Sequence, residues 1–92
     1  MPTVRIEIVR YTSDDQPGFV DCRLPDVDGR VWAFEEKVPV VSEEYLDADS
    51  EYPRAGSVGC LVLGRDAAGV RVGVDPISDY FECVVPAAEV EE

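Results

Sequence analysis

The chain is 92 residues long, carries twenty Asp and Glu against eight Lys and Arg, contains no histidine, and has a net charge of −12. Such a field repels phosphate backbones and anionic headgroups, and the cations Arg5, Arg10, Arg23, Arg30, Lys37, Arg54, Arg65 and Arg71 are scattered singly, so no basic stripe is available for nucleic acid. Without histidine, His-assisted nucleophiles and His-containing metal centres are excluded.

Apolar residues form 46% of the chain and charged residues 30%, a globular balance that fits one domain with a thin core. A domain of this size has a net stability of about 5–14 kcal/mol. Met1-Pro2-Thr3-Val4-Arg5 leads directly into alternating residues with no apolar leader, and the longest apolar runs, such as Cys60-Leu61-Val62-Leu63, are far too short to cross a bilayer. Cys22, Cys60 and Cys83 are odd in number and widely spaced, which speaks against a disulfide framework and for three small buried side chains in a reducing, cytoplasmic compartment.

Period-two alternation dominates and marks half-buried strands. Residues 3–11 read as the first, with Val4, Ile6 and Ile8 on one face. Ser13-Asp14-Asp15 and Pro17-Gly18 make a turn. Residues 19–24 form the second strand, with Val20, Cys22 and Leu24 inward or Phe19 inward on the opposite face, and Asp26-Val27-Asp28-Gly29 is hairpin chemistry. The third strand covers about 30–41 and carries Trp32 and Phe34 on one face; Pro39, lacking an N–H, implies a bend or an edge there. Ser42-Glu43-Glu44-Tyr45 reads as the start of one short helical turn with Ser42 as N-cap. Residues 57–65 alternate as a fourth strand, and Asp66-Ala67-Ala68-Gly69 turns the chain into a fifth with Val70, Val72 and Val74 inward. Residues 80–85 form the sixth, with Phe81, Cys83 and Val85 on one side.

The expected fold is therefore all-β: a single antiparallel, barrel-like domain of about six strands over residues 1–86, with at most one short helical turn. Residues 87–92 are expected to fray as an acidic tail. Closure would hide the edges of a small sheet.

No catalytic motif emerges. Gly56-Ser57-Val58-Gly59-Cys60 places a thiol after glycines, but the nucleophile-elbow spacing and a base are both missing. Asp47-Ala48-Asp49-Ser50-Glu51 begins like a calcium loop, yet Tyr52 and Val58 stand where Gly and Glu are needed. The chain is accordingly read as neither an enzyme nor a cofactor or metal protein.

Its most distinctive stretch is a loop that gathers Glu43, Glu44, Asp47, Asp49 and Glu51 with Tyr45 and Tyr52, preceded by Glu35 and Glu36. Tyrosine among flexible acids is a contact composition, and the seven loop residues form a candidate surface for a basic protein partner, such as a nuclease or a ribosomal protein. The resulting function is a non-catalytic interaction module with an acidic surface. Two alternatives belong to other classes: a small-ligand or metal-binding protein or carboxylate-based enzyme using carboxylates and Trp32 or Tyr residues at a barrel mouth, and a structural protein that self-associates through Phe19, Trp32 or Tyr80.

Several segments resemble a family of small bacterial proteins of β-barrel type: Gln16-Pro17-Gly18-Phe19-Val20, Cys22, Asp28-Gly29, Phe34, Glu36-Lys37-Val38-Pro39-Val40-Val41, Leu46, Ser50-Glu51-Tyr52-Pro53, Gly56, Cys60 and Phe81. That family carries no assigned activity or cofactor, so the resemblance implies kinship and no chemistry. After Asp75-Pro76 those relatives often have a Trp and a Glu-Ser pair, where this chain has Ile77-Ser78-Asp79-Tyr80.

Overall fold

In the computed structural model, which describes residues 1–92, alternation becomes strands wherever one face is apolar. β1 (Thr3–Ser13) buries Val4, Ile6 and Ile8, and β2 (Phe19–Pro25) buries Val20, Cys22 and Leu24. The two pair antiparallel, and β3 (Val31–Lys37) pairs with β2 so that Phe34 faces Cys22 and Trp32 faces Leu24. The β2–β3 hairpin turns at Gly29, whose φ of 86° is the left-handed conformation for which glycine is suited.

After β3 comes α1 (Val38–Val41), then a loop, then β4 (Arg54–Gly59), which lies on the other side of β1. The first sheet thus has the order β3-β2-β1-β4. β5 (Leu61–Asp66), β6 (Gly69–Val74) and β7 (Phe81–Val85) form a second antiparallel sheet in that order. A 3₁₀ turn (Ala87–Glu89) leads to β8 (Val90–Glu91), which pairs with Thr3 and Val4 of β1. Both sheets contribute to one core of 18 buried residues, which includes the inward sets of β6 (Val70, Val72, Val74) and β7 (Phe81, Cys83, Val85) and all three free cysteines. No helix is long and apolar enough to cross a membrane.

The all-β antiparallel domain is as expected, but the barrel does not close. Where a closing ladder would run between β3 and β7, side chains fill the seam. Trp32 stacks on Phe81 with ring centroids 5.1 Å apart, and the Arg30 guanidinium lies 3.8 Å from the Trp32 centroid. Only the Val27 amide to the Val84 carbonyl (2.9 Å) and the Glu35 amide to the Ser78 hydroxyl (3.4 Å) bridge it with backbone groups.

Four local expectations are corrected. The single strand expected over 57–65 is two strands, because the chain turns a corner at Cys60, whose amide donates to the Pro2 carbonyl at 3.0 Å. The strand expected to reach residue 41 stops at Lys37, and Pro39 sits in the first turn of α1, where a missing N–H costs nothing. Ser42 is therefore the C-cap of that turn, not the N-cap of a later one. Residues 87–92 do not fray throughout: Val90 and Glu91 are held in the ladder with β1.

Candidate functional site

The 42–53 loop is built from the core outward. Leu46 is 1% exposed and belongs to the central cluster, so one side chain nails the loop's midpoint to the domain. From there the backbone is knitted locally. The Asp47 carboxylate accepts from the Asp49 amide (2.9 Å) and the Ser50 hydroxyl (3.3 Å), while the Ser50 amide donates to the Asp47 carbonyl (3.2 Å). The Tyr52 hydroxyl donates to the same carbonyl at 2.7 Å, and burial pushes that phenol's pKa up, which keeps it a donor. At the other end, the Ser42 hydroxyl accepts from the Glu44 amide (3.1 Å) and donates to the Glu44 carbonyl (3.0 Å). Asp and Ser side chains of this kind commonly replace regular structure in turns.

This geometry divides the seven expected contact residues. Asp47 and Tyr52 spend their polar atoms on the loop itself, and Tyr52 packs against the core. Glu44 pairs with Arg54 at 2.7 Å. The carboxylates of Glu43, Asp49 and Glu51 are exposed and make no hydrogen bond or ion pair, and Tyr45 is 82% exposed beside the anchored Leu46. Glu35 and Glu36 do not extend the acidic surface. Glu35 accepts from the Thr12 hydroxyl (3.0 Å), and Glu36 points into the protein, 4% exposed, with Oε1 accepting from the Lys37 amide at 2.8 Å.

Sequence reasoning missed three neighbours of the loop. Arg54 is the nearest cation in space, although it follows the acidic run in sequence. Tyr11 and Asp14 come from the β1–β2 hairpin: burial and then the Asp14 carboxylate, with smaller contributions from Tyr45 and Asp47, raise the Tyr11 phenol. The β1–β2 hairpin therefore lies near the loop. A strand pairing that brings the β1–β2 turn beside the loop was the only signal, and single-sequence periodicity does not contain it.

A cleft of about 490 Å³ adjoins the loop. Its origin is local: continuing the β1–β2 register would set Pro25 opposite Arg5, and proline has no N–H to donate. β2 therefore leaves β1, β8 picks up only at Val4, and Arg5 and Ile6 have no partner on that side. Arg5, Leu24, Pro25, Pro86 and Glu89 line the opening. A second hollow of about 520 Å³ shares Arg5, Arg54 and Glu89 with it and runs on to Glu43 and Glu44.

Elsewhere the chemistry is closed off. Trp32 is held in the seam between the sheets by Phe81, Arg30 and its own bond to Asp26 (2.9 Å) and does not line the cleft. Cys60 is buried, and burial followed by the Glu92 charge raises its thiol, against thiolate formation. Nowhere do three carboxylates or thiols converge in a way that could hold a metal ion. Comparison with protein-family models, curated proteins and solved structures produced no match.

Proposed function

We propose that the protein is a non-catalytic interaction module that presents the 43–51 loop to a basic protein surface. The observation that carries this reading is the combination of free charge and fixed backbone. Glu43, Asp49, Glu51 and Tyr45 face water uncommitted, while Leu46, Asp47, Ser50 and Tyr52 hold the backbone beneath them. Preorganised contacts of this kind lose little conformational freedom on binding, and the excess negative charge accelerates encounter with a basic partner.

The test begins with proteins captured from the source cells at low salt and released at high salt, as expected for charges screened over about 8 Å at physiological ionic strength. For a captured partner, neutralising Glu43, Asp49 and Glu51 together should slow association at least tenfold in stopped-flow. An unchanged rate refutes the proposal. This variant spares Glu44 and Asp47, so a slower rate reports lost charge and not a loosened loop.

A second reading has one observation in its favour. The cleft at Arg5 and Pro25 has the volume of a small-ligand site. Thermal melting against metals, nucleotides and sugars tests it, and a melting temperature unmoved by all of them removes it.

A further inference from the structure

Four long strands end the two sheets: β3 and β4 in the first, β5 and β7 in the second. Two of these edges are attended by the chain itself. The Ser78 hydroxyl accepts from the Glu35 amide of β3, and the Val27 amide donates to the Val84 carbonyl of β7. β4 exposes no large apolar side chain, and α1 packs over its inner face so closely that a Cβ on Gly56 would lie 2.7 Å from the Val41 carbonyl oxygen.

β5 is different. It pairs only with β6, and none of its residues is buried. Leu61 and Leu63 are 57% and 44% exposed, and the one tie at its far end is the side-chain ion pair of Arg65 with Glu92. An open edge carrying exposed leucines is a ready acceptor for another strand, and proteins usually blunt such edges with proline, charged side chains, bulges or a covering segment. β5 has no proline, and its charges, Arg65 and Asp66, stand only at its far end. Its bulge at Leu63, between the Val62–Val72 and Gly64–Arg71 pairs, bends the strand without covering it.

We infer that the β5 edge is a docking site for an extended, basic segment of a partner protein, added as a fourth strand to the second sheet. Main-chain hydrogen bonds to β5 would supply affinity, as in other strand-addition complexes. Apolar side chains of the guest would cover Leu61 and Leu63. Its basic character follows from charge. Glu82 lies in the same cross-strand row as Leu61, with Gly73 between them, and Asp66 closes β5; Glu92 pairs with Arg65, which leaves these two acids against Arg71 of β6, the partner of Gly64, on a chain of net charge −12. A second copy of this chain carries the same net charge of −12 and is repelled as a whole, which makes it the disfavoured occupant. The basic character of the guest rests on the reading proposed above, but the site does not: β5 and the acidic loop lie at opposite ends of β4.

The probe is a capped heptapeptide alternating Lys and Val, with a control N-methylated at alternate residues, which has the same charge but lacks N–H groups on one edge. Titration of the intact protein should slow amide exchange at alternate residues of Leu61–Asp66, and the N-methylated control should bind at least tenfold more weakly. The variant with Glu43, Asp49 and Glu51 neutralised should show the same β5 protection, so failure of the loop reading leaves this result standing. Leu61→Gln with Leu63→Gln, both on exposed side chains, should weaken the peptide without lowering the melting temperature. Equal binding by the N-methylated control, protection confined to residues 43–52, or a concentration-dependent dimer formed through β5 without peptide would each overturn the proposal.

Discussion

Leu46→Ala tests whether the acidic loop is a fixed platform or a strap lying in solvent. The substitution removes three carbons from a side chain that is 1% exposed. At about 0.8 kcal/mol per buried carbon, the transfer term is about 2.4 kcal/mol. The hole left among core neighbours brings the expected loss to about 3 kcal/mol. For a domain whose whole stability is about 5–14 kcal/mol, this is a large fraction, and it corresponds to a fall in Tm of roughly 12–24 °C. Urea unfolding followed by Trp32 fluorescence measures it, because Trp32 stacks on Phe81 across the seam and reports the joining of the two sheets. The denaturant slope should stay constant while the midpoint falls. A loss below about 1 kcal/mol would refute the anchoring argument. So would faster amide exchange at Asp49 and Ser50 with global stability unchanged, since the loop would then open as a unit of its own.

Glu36→Gln should raise Tm by roughly 4–8 °C, for a gain of about 1 kcal/mol, because Glu36 is buried, takes part in none of the ion pairs, and its amide analogue keeps the acceptor for the Lys37 amide; calorimetry decides it, and a lower Tm would contradict it. Asp26 has its carboxyl pKa lowered first by the Trp32 indole bond and then by the Asp28 and Arg30 amides, partly opposed by burial. A depressed carboxylate contributes stability that is present above its unfolded pKa, near 4, and is lost as pH falls through the folded value. Wild type should therefore lose stability more steeply than Asp26→Asn as the pH falls below about 4 in urea titrations. Burial, followed by nearby carboxylates, pushes the Cys22 thiol up to about 12 and the Cys83 thiol up to about 11. Iodoacetamide at pH 8 should leave all three cysteines of the folded chain unmodified and label three in urea, as mass spectrometry would show.

The inward faces were legible because strand parity is a property of local sequence. Val4, Ile6 and Ile8 alternate with Thr3, Arg5 and Glu7, and Val70, Val72 and Val74 with Gly69, Arg71 and Gly73, so each set has only one way to bury together. The corner at Cys60 was not legible, for a specific reason. Val58 and Cys60 are both buried and Leu61 is exposed, so in-out alternation passes through the corner without a break while the chain leaves one sheet for the other. Pro39 did announce an interruption, but a missing N–H suits a strand edge and a first helical turn equally. The choice was made by packing: Val38 and Val41, three apart, both reach the core. Closure failed for a similar reason. Whether β3 and β7 share a ladder or a layer of aromatic side chains depends on the bulk of Trp32 and Phe81 in space, which periodicity does not encode. For the candidate site, the charge of the loop was plain in the sequence, but the division between carboxylates that hold the loop and carboxylates left for a partner was not. Asp47 and Asp49 look alike in sequence, and only the turn separates their roles.

That division also predicts how the two proposed surfaces would act on one partner. The free carboxylates at the start of β4 and the open edge beyond its end are separated by six strand residues, about 20 Å at the usual rise. Exposed charges act mainly on encounter, so salt and loop neutralisation should change the association rate. Main-chain pairing forms only after docking, so changes at β5 should appear in the dissociation rate. A partner that uses both surfaces should therefore show the two effects separately and add them in free energy, because the sites share no side chain. Coupling well beyond additivity would mean that the loop and the edge move together, against a core in which Leu46 and the β4–β5 corner are each fixed by their own contacts.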